Sequence, residues 1–98
     1  MTVTDVTIPT IKAFCNLEPK AQALKPLEEA AEVFGAWQVY DSDDRTHAGY
    51  NGSILLDEIA DCIQSCANLA AMVGVSDLTP YMESCEERNR ERGRYGDE

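Results

Sequence analysis

Basic side chains are scarce in this chain: eight Lys and Arg stand against 18 Asp and Glu, for a net charge of −10. So acidic a protein is not expected to bind a nucleic-acid backbone or an anionic membrane directly. Long hydrophobic runs are missing too, which excludes a transmembrane helix. Met1 to Asp5 has neither the basic nor the apolar region of a signal peptide, so the expected location is the cytoplasm. Histidine occurs once, at His47, in a loop-like stretch. There is no P-loop, no nucleophilic Ser/His/Asp set and no Gly-rich dinucleotide fingerprint. The Asp-rich run from Asp41 to Gly52 has no Gly and no terminal Glu at the places an EF-hand loop requires. The four cysteines, Cys15, Cys62, Cys66 and Cys85, form no C-x-x-C pair. Cys62 and Cys66 are one turn apart, but no second pair or suitably spaced His completes a soft-metal site. Buried free thiols in a reducing compartment are the expectation.

What remains is helical pattern. With 98 residues, 44% of them hydrophobic, the chain suits one small domain over 1–98, with 1–7 and 96–98 frayed. The fold class read from it is all-α, a small four-helix bundle completed by oligomerisation. Pro9 suits the first turn of a short helix to Asn16 or Leu17, with Ile8, Ile11, Phe14 and Cys15 as its apolar side. A second helix runs from Pro19 or Pro26 to about Tyr40; a proline inside it either bends the helix or begins it. Asp41 to Gly52 reads as loop. A third helix runs from Ser53, as N-cap, to Met72 or Val73, closed by Gly74. Ile54, Leu55, Leu56, Ile59, Ile63 and Leu69 spread round most of its circumference, as expected of a central bundle helix. The last helix has Thr79 as N-cap and Pro80 at its first position, ends near Arg92 before Gly93, and buries Tyr81, Met82 and Cys85.

Two of these helices carry the same acidic spacing, Glu29-x-x-Glu32 and Glu58-x-x-Asp61. Residues three apart are neighbours on a helix surface, so opposing the two faces converges four carboxylates on one small volume. Such a cluster does not stay fully ionised in a partly dry cleft without a cation. An all-oxygen ligand set favours Mg²⁺, or Mn²⁺, over zinc or copper. Between Pro26 and Glu87 the only Lys or Arg is Arg45, so these acids lack the i, i+4 cationic partners of an ordinary solvated helix face. Upstream, Gln22 and Lys25 fall on the same side as Glu29 and Glu32 if the helix is continuous. Downstream, Arg88, Arg90, Arg92 and Arg94 hold half of the basic residues. That run complements a helix dipole, and beside a carboxylate-bound metal it would clamp an oligophosphate.

In this order, with Lys25 before and Arg88-Asn89-x-x-Arg92-Gly93 after, the motifs resemble the MazG-like branch of the all-α nucleoside triphosphate pyrophosphohydrolases, a family that includes dimeric dUTPases and dCTP pyrophosphatases. The resemblance covers Gln22 to Tyr95. It implies Mg²⁺-dependent hydrolysis of a (deoxy)nucleoside triphosphate to the monophosphate and pyrophosphate. Glu29, Glu32, Glu58 and Asp61 would hold the metal. Gln22, Lys25, Asn68, Arg88, Asn89 and Arg92 would contact substrate. Glu29 is the choice for activating water, and Arg88 stands where the family often has Lys. The family also implies a homodimer or homotetramer. Trp37, Tyr40 and Tyr50 are candidates to stack on a base, or to serve as core or interface. The alternative is a non-catalytic acidic helical interaction or regulatory module, which explains the acidity without an active site.

Overall fold

The structure, a computed structural model, describes residues 2–42 and 47–96. Among them are three helices and no strand: α1 (Pro19–Ser42), α2 (Ala48–Met72) and α3 (Thr79–Glu91). None of the three is long and apolar enough to cross a membrane. Two compact units are present: Ile11–Gly74, and Met1–Thr10 together with Val75–Glu98.

In the first unit α1 and α2 pack on each other. Pro19 opens α1, where its fixed φ costs nothing, and the helix continues through Pro26. Pro26 offers no N–H to the Gln22 carbonyl, but Lys20, Gln22, Lys25, Leu27, Glu28 and Glu29 around it are good helix formers and carry the turn across. Of the loop expected at 41–52, residues 43–46 lie outside the described residues, and α2 already begins at Ala48, five residues before Ser53. Gly49 to Gly52 look like turn residues, yet they are helical. The Tyr40 ring of α1 lies over Gly52, so that a Cβ there would stand 3.5 Å from Tyr40 Cε2. At Gly52, contact with α1 thus works against local preference. Ser53 is an interior residue whose hydroxyl donates to the Gly49 carbonyl at 3.1 Å. Gly74, at φ +88, closes the helix.

The short first helix expected from Pro9 does not form; residues 2–17 are non-helical. Thr10 and Ile11 in its first turn are β-branched and lower its helix preference. Its backbone finds other partners on α2. Phe14 N–H donates to Asn68 Oδ1 at 2.9 Å, and Gln64 Nε2 donates to the Lys12 carbonyl at 3.0 Å. Residues 11–17 are therefore a strap along α2.

Burial reverses the usual order. Among the described residues no apolar side chain is fully buried, whereas Gln22, Ser65 and Asn68 are, at 1%, 3% and 4% exposure. The most deeply buried side chains of α1 and α2 are thus polar, and the apolar residues of α2, Ile54, Leu55, Ile59, Ile63 and Leu69, are only half-buried. On α1, Leu24, Leu27, Ala31 and Phe34 recur at spacings of three, four and three on the side opposite Gln22, Glu29 and Glu32, and all four are exposed. None of the four cysteines is buried either: Cys15 and Cys66 are exposed, Cys62 and Cys85 half-buried, and all four are free thiols.

In the second unit, α3 starts one residue earlier than expected, with Thr79 inside it and Pro80 in its first turn. The cap comes from Asp77, whose Oδ1 accepts the Thr79 N–H at 2.9 Å. Tyr81 and Met82, expected on a buried side, are 59% and 60% exposed. Arg88 and Arg90 occupy the last turn, and Gly93 follows at φ +71. Hydrogen bonds from the Thr79 side chain and backbone hold the Asp77 carboxyl below its usual range. A depressed folded-state pKa contributes stability that is present above the unfolded value and is lost as pH falls through the folded one. Asp77→Ala should therefore fray the first turn of α3 at neutral pH, and the difference from the parent should vanish in acid. Cα chemical shifts of residues 79–82 across pH report it; a difference independent of pH would contradict the cap.

Candidate metal centre

Four residues of α1, Gln22, Lys25, Glu29 and Glu32, recur at spacings of three, four and three, and so share one face. Glu58, Asp61, Ser65 and Asn68 repeat the same spacing on α2. The helices run antiparallel with these faces together: Glu32 meets Glu58 at one level, and Cys62 lies against the Pro26 carbonyl at 3.9 Å, further back along α1. Continuity of α1 through Pro26 is what puts Gln22 and Lys25 in line with the acids.

One carboxylate oxygen from each of Glu29, Glu32 and Glu58 lies within 4.8 Å of the others. Lys25 Nζ stands 3.7 Å from Glu29 Oε1 and 3.4 Å from Glu28 Oε2. The other oxygen of Glu29 and one oxygen of Glu58 are buried without a hydrogen-bond partner. The Glu29 carboxyl is pushed above its ordinary range, first by sharing a hydrogen bond with Glu32, then by burial and by the charges of Glu32 and Asp61; Lys25 opposes the shift. Glu28, more than Glu29, raises the Lys25 ammonium. Cys62, beside the cluster, is raised by burial and by Cys66 and Glu29.

This donor set fits a hard divalent cation. Three carboxylates at that spacing repel one another, two hold a buried oxygen with no hydrogen-bond partner, and the ligand atoms of the trio are all oxygen. Asp61 is outside the closest trio; it lines, with Glu29 and Lys25, one end of a cavity of about 290 Å³.

The cavity runs on from Glu29 and Asp61 to Gln22, Ser65 and Asn68, and the strap closes it with Phe14, Asn16 and Leu17. Asn68, expected to touch substrate, spends its Oδ1 on Phe14 N–H and on Gln64 Nε2, both at 2.9 Å, and thereby fastens the strap. Ser65 donates to the Cys62 carbonyl at 2.7 Å. Gln22 Oε1 is buried with no partner, a state that costs about 1–3 kcal/mol. Gln64 and Ser65 belong to the polar stripe legible in the sequence of α2 but were not expected in the site, and the strap was not expected at all. The repeat of the three-four-three spacing on α2 was the available signal for Ser65; none existed for the strap.

Arg88, Asn89 and Arg92 belong to the other unit. Arg88 Nη1 donates to Ser84 Oγ at 2.8 Å, Asn89 Nδ2 lies 3.7 Å from Cys85 Sγ, and Arg92 caps α3. Arg90 sits 5.4 Å from the centre of the Tyr95 ring. Trp37, Tyr40 and Tyr50 are exposed, and Trp37 stacks on Phe34 with ring centres 5.9 Å apart. No protein-family model matches the chain, and neither a curated protein nor a solved structure does.

Proposed function

We propose that the chain is a Mg²⁺-dependent hydrolase of (deoxy)nucleoside triphosphates, of the MazG-like all-α kind, that releases monophosphate and pyrophosphate. One observation carries the reading. Glu29, Glu32 and Glu58 bring oxygens from two helices within 4.8 Å, while Glu29 and Glu58 each keep a buried oxygen with no partner. When bound there, Mg²⁺ or Mn²⁺ would neutralise phosphate charge and acidify water. The chain's own residues do the rest. Glu29, held at Oε1 by Lys25 and with its other oxygen unpartnered, is the group assigned to take a proton from water. Lys25 orients Glu29 through Oε1 and puts a cation at the same end of the cavity for phosphate oxygens. Asp61 adds a further oxygen donor there. The assignment of Arg88, Asn89 and Arg92 to phosphate rests on the family resemblance.

The reading includes a homodimer or homotetramer in the cytoplasm, where free thiols stay reduced. A second copy laid on the exposed Leu24, Leu27 and Phe34 side of α1 would complete a four-helix arrangement from two α1–α2 pairs.

Incubation with mixed nucleoside triphosphates and Mg²⁺ should yield monophosphate and pyrophosphate in equal amounts. Release of diphosphate and orthophosphate, or no turnover, would overturn the reading. Glu29→Gln should lower turnover by about 10²–10⁴-fold if it accepts the proton from water; near-parent turnover would remove it from that role.

A further inference from the structure

We infer that Cys62 and Cys66 of α2 form a clip for one soft, two-coordinate metal ion of the Cu⁺ class, held between their two sulfurs. The hydrolase reading uses neither thiol, and the inference stands whether or not that reading holds. Both thiols are free and lie four residues apart on one helix, so they share a face one turn from each other. Burial is the first cause that raises the Cys62 thiol and Cys66 the second, so the two side chains act on each other. On its other side Cys62 Sγ meets the Pro26 carbonyl at 3.9 Å, a weak thiol contact that a metal–sulfur bond outweighs. Cys62 is half-buried and Cys66 exposed. One sulfur shelters the ion, and the other gives it a way in from solvent.

The spacing decides what the pair can hold. Residues at i and i+4 on a helix have Cβ atoms about 5–6 Å apart, whereas a disulfide needs about 3.5–4.5 Å. An intact α2 therefore keeps these thiols from closing on each other. A metal–thiolate bond of about 2.3 Å lets one ion span up to roughly 4.6 Å between two sulfurs, a reach that leaves the helix wound. Among the described residues no group of three possible ligands includes either cysteine; the group that exists is Glu29, Glu32 and Glu58. Zinc, which takes four ligands in a closed site, is left two short. Two thiolates with no third donor suit a soft monovalent ion. On binding, each thiol releases its proton to water and each sulfur forms one bond to the metal, with no change of oxidation state. Hard ions are drawn to the three carboxylates and soft ones to the two sulfurs, so ligand chemistry separates the two centres on one helix pair.

The test titrates the full, reduced chain with Cu⁺ in the absence of oxygen, against a coloured Cu⁺ chelator. The parent should take one ion per chain, and X-ray absorption should show two sulfur neighbours at the copper. Cys62→Ser and Cys66→Ser should each weaken uptake by more than the roughly 10- to 100-fold that loss of a supporting partner costs at a metal site. Serine keeps the shape, and Cys66 is exposed, so helical circular dichroism should not change. Cys15→Ser and Cys85→Ser serve as controls. Their sulfurs lie 3.5 Å from the Asn68 carbonyl and 3.7 Å from Asn89 Nδ2, away from the pair, and both variants should bind like the parent. Excess Mg²⁺ should not displace the copper; displacement would assign it to the carboxylates and overturn the clip. Parent-strength uptake by Cys62→Ser or Cys66→Ser, one ion shared by two chains, or no uptake would overturn it equally.

Discussion

Replacing Glu58 by Gln should abolish the stabilisation of the protein by Mg²⁺. Glu58 is the contribution of α2 to the three-carboxylate group, the other two oxygens coming from Glu29 and Glu32 of α1. The exchange keeps the shape and removes the charge that draws the cation. A ligand that binds only the folded state at a hundred times its Kd stabilises by about 2.7 kcal/mol, and for a domain of this size each kcal/mol moves Tm by roughly 4–8 °C. The parent should therefore melt well above its metal-free temperature in millimolar Mg²⁺, and Glu58→Gln should melt at one temperature with or without it. The variant makes a second, opposite prediction in chelator. Removing one of three mutually repelling charges should raise its Tm above that of the metal-free parent. Calorimetry with and without Mg²⁺ measures both, and a variant that keeps the whole Mg²⁺ shift would take Glu58 out of the site.

Light scattering at micromolar concentration should give at least twice the 10.8 kDa chain mass. The reason lies on the outer side of α1, where Leu24, Leu27 and Phe34 are 45%, 69% and 58% exposed. Their spacing of three and four, continued by Ala31, is that of a helix seam. A seam on α1 facing away from α2 has no partner within the α1–α2 pair. Full burial of such a side chain contributes about 1.5–3 kcal/mol, so covering three of them by a second copy matters to a unit in which no apolar residue among those described is buried. Tm should then rise with protein concentration, and Leu27→Lys should lower both the mass and Tm. A monomeric parent that unfolds cooperatively at a concentration-independent Tm would refute this assembly.

The helical class, the C-terminal ends of α1 and α2 to within two residues, and the start and stop of α3 were legible, the last three in Gly74, Pro80 and Gly93, because they depend on backbone chemistry local to each residue; the start of α1 stayed open between Pro19 and Pro26. The acidic spacing at Glu29, Glu32, Glu58 and Asp61 is likewise a property of the chain, since a period of 3.6 residues sets which side chains share a face. Three things were decided only by tertiary structure. Residues 11–17 carry apolar spacing compatible with a helix, but Asn68 and Gln64 bind their backbone and make them a strap. Gly49 to Gly52 have turn composition, yet they are helical, and Gly52 lies against the Tyr40 ring of α1. The third is which face of each helix turns inward. Hydrophobicity alone puts Leu24, Leu27 and Phe34 inside and Gln22, Ser65 and Asn68 outside. The structure does the reverse, because one helix pair has a single shared seam, and it leaves the Leu24, Leu27 and Phe34 side of α1 outside while Gln22, Ser65 and Asn68 are buried.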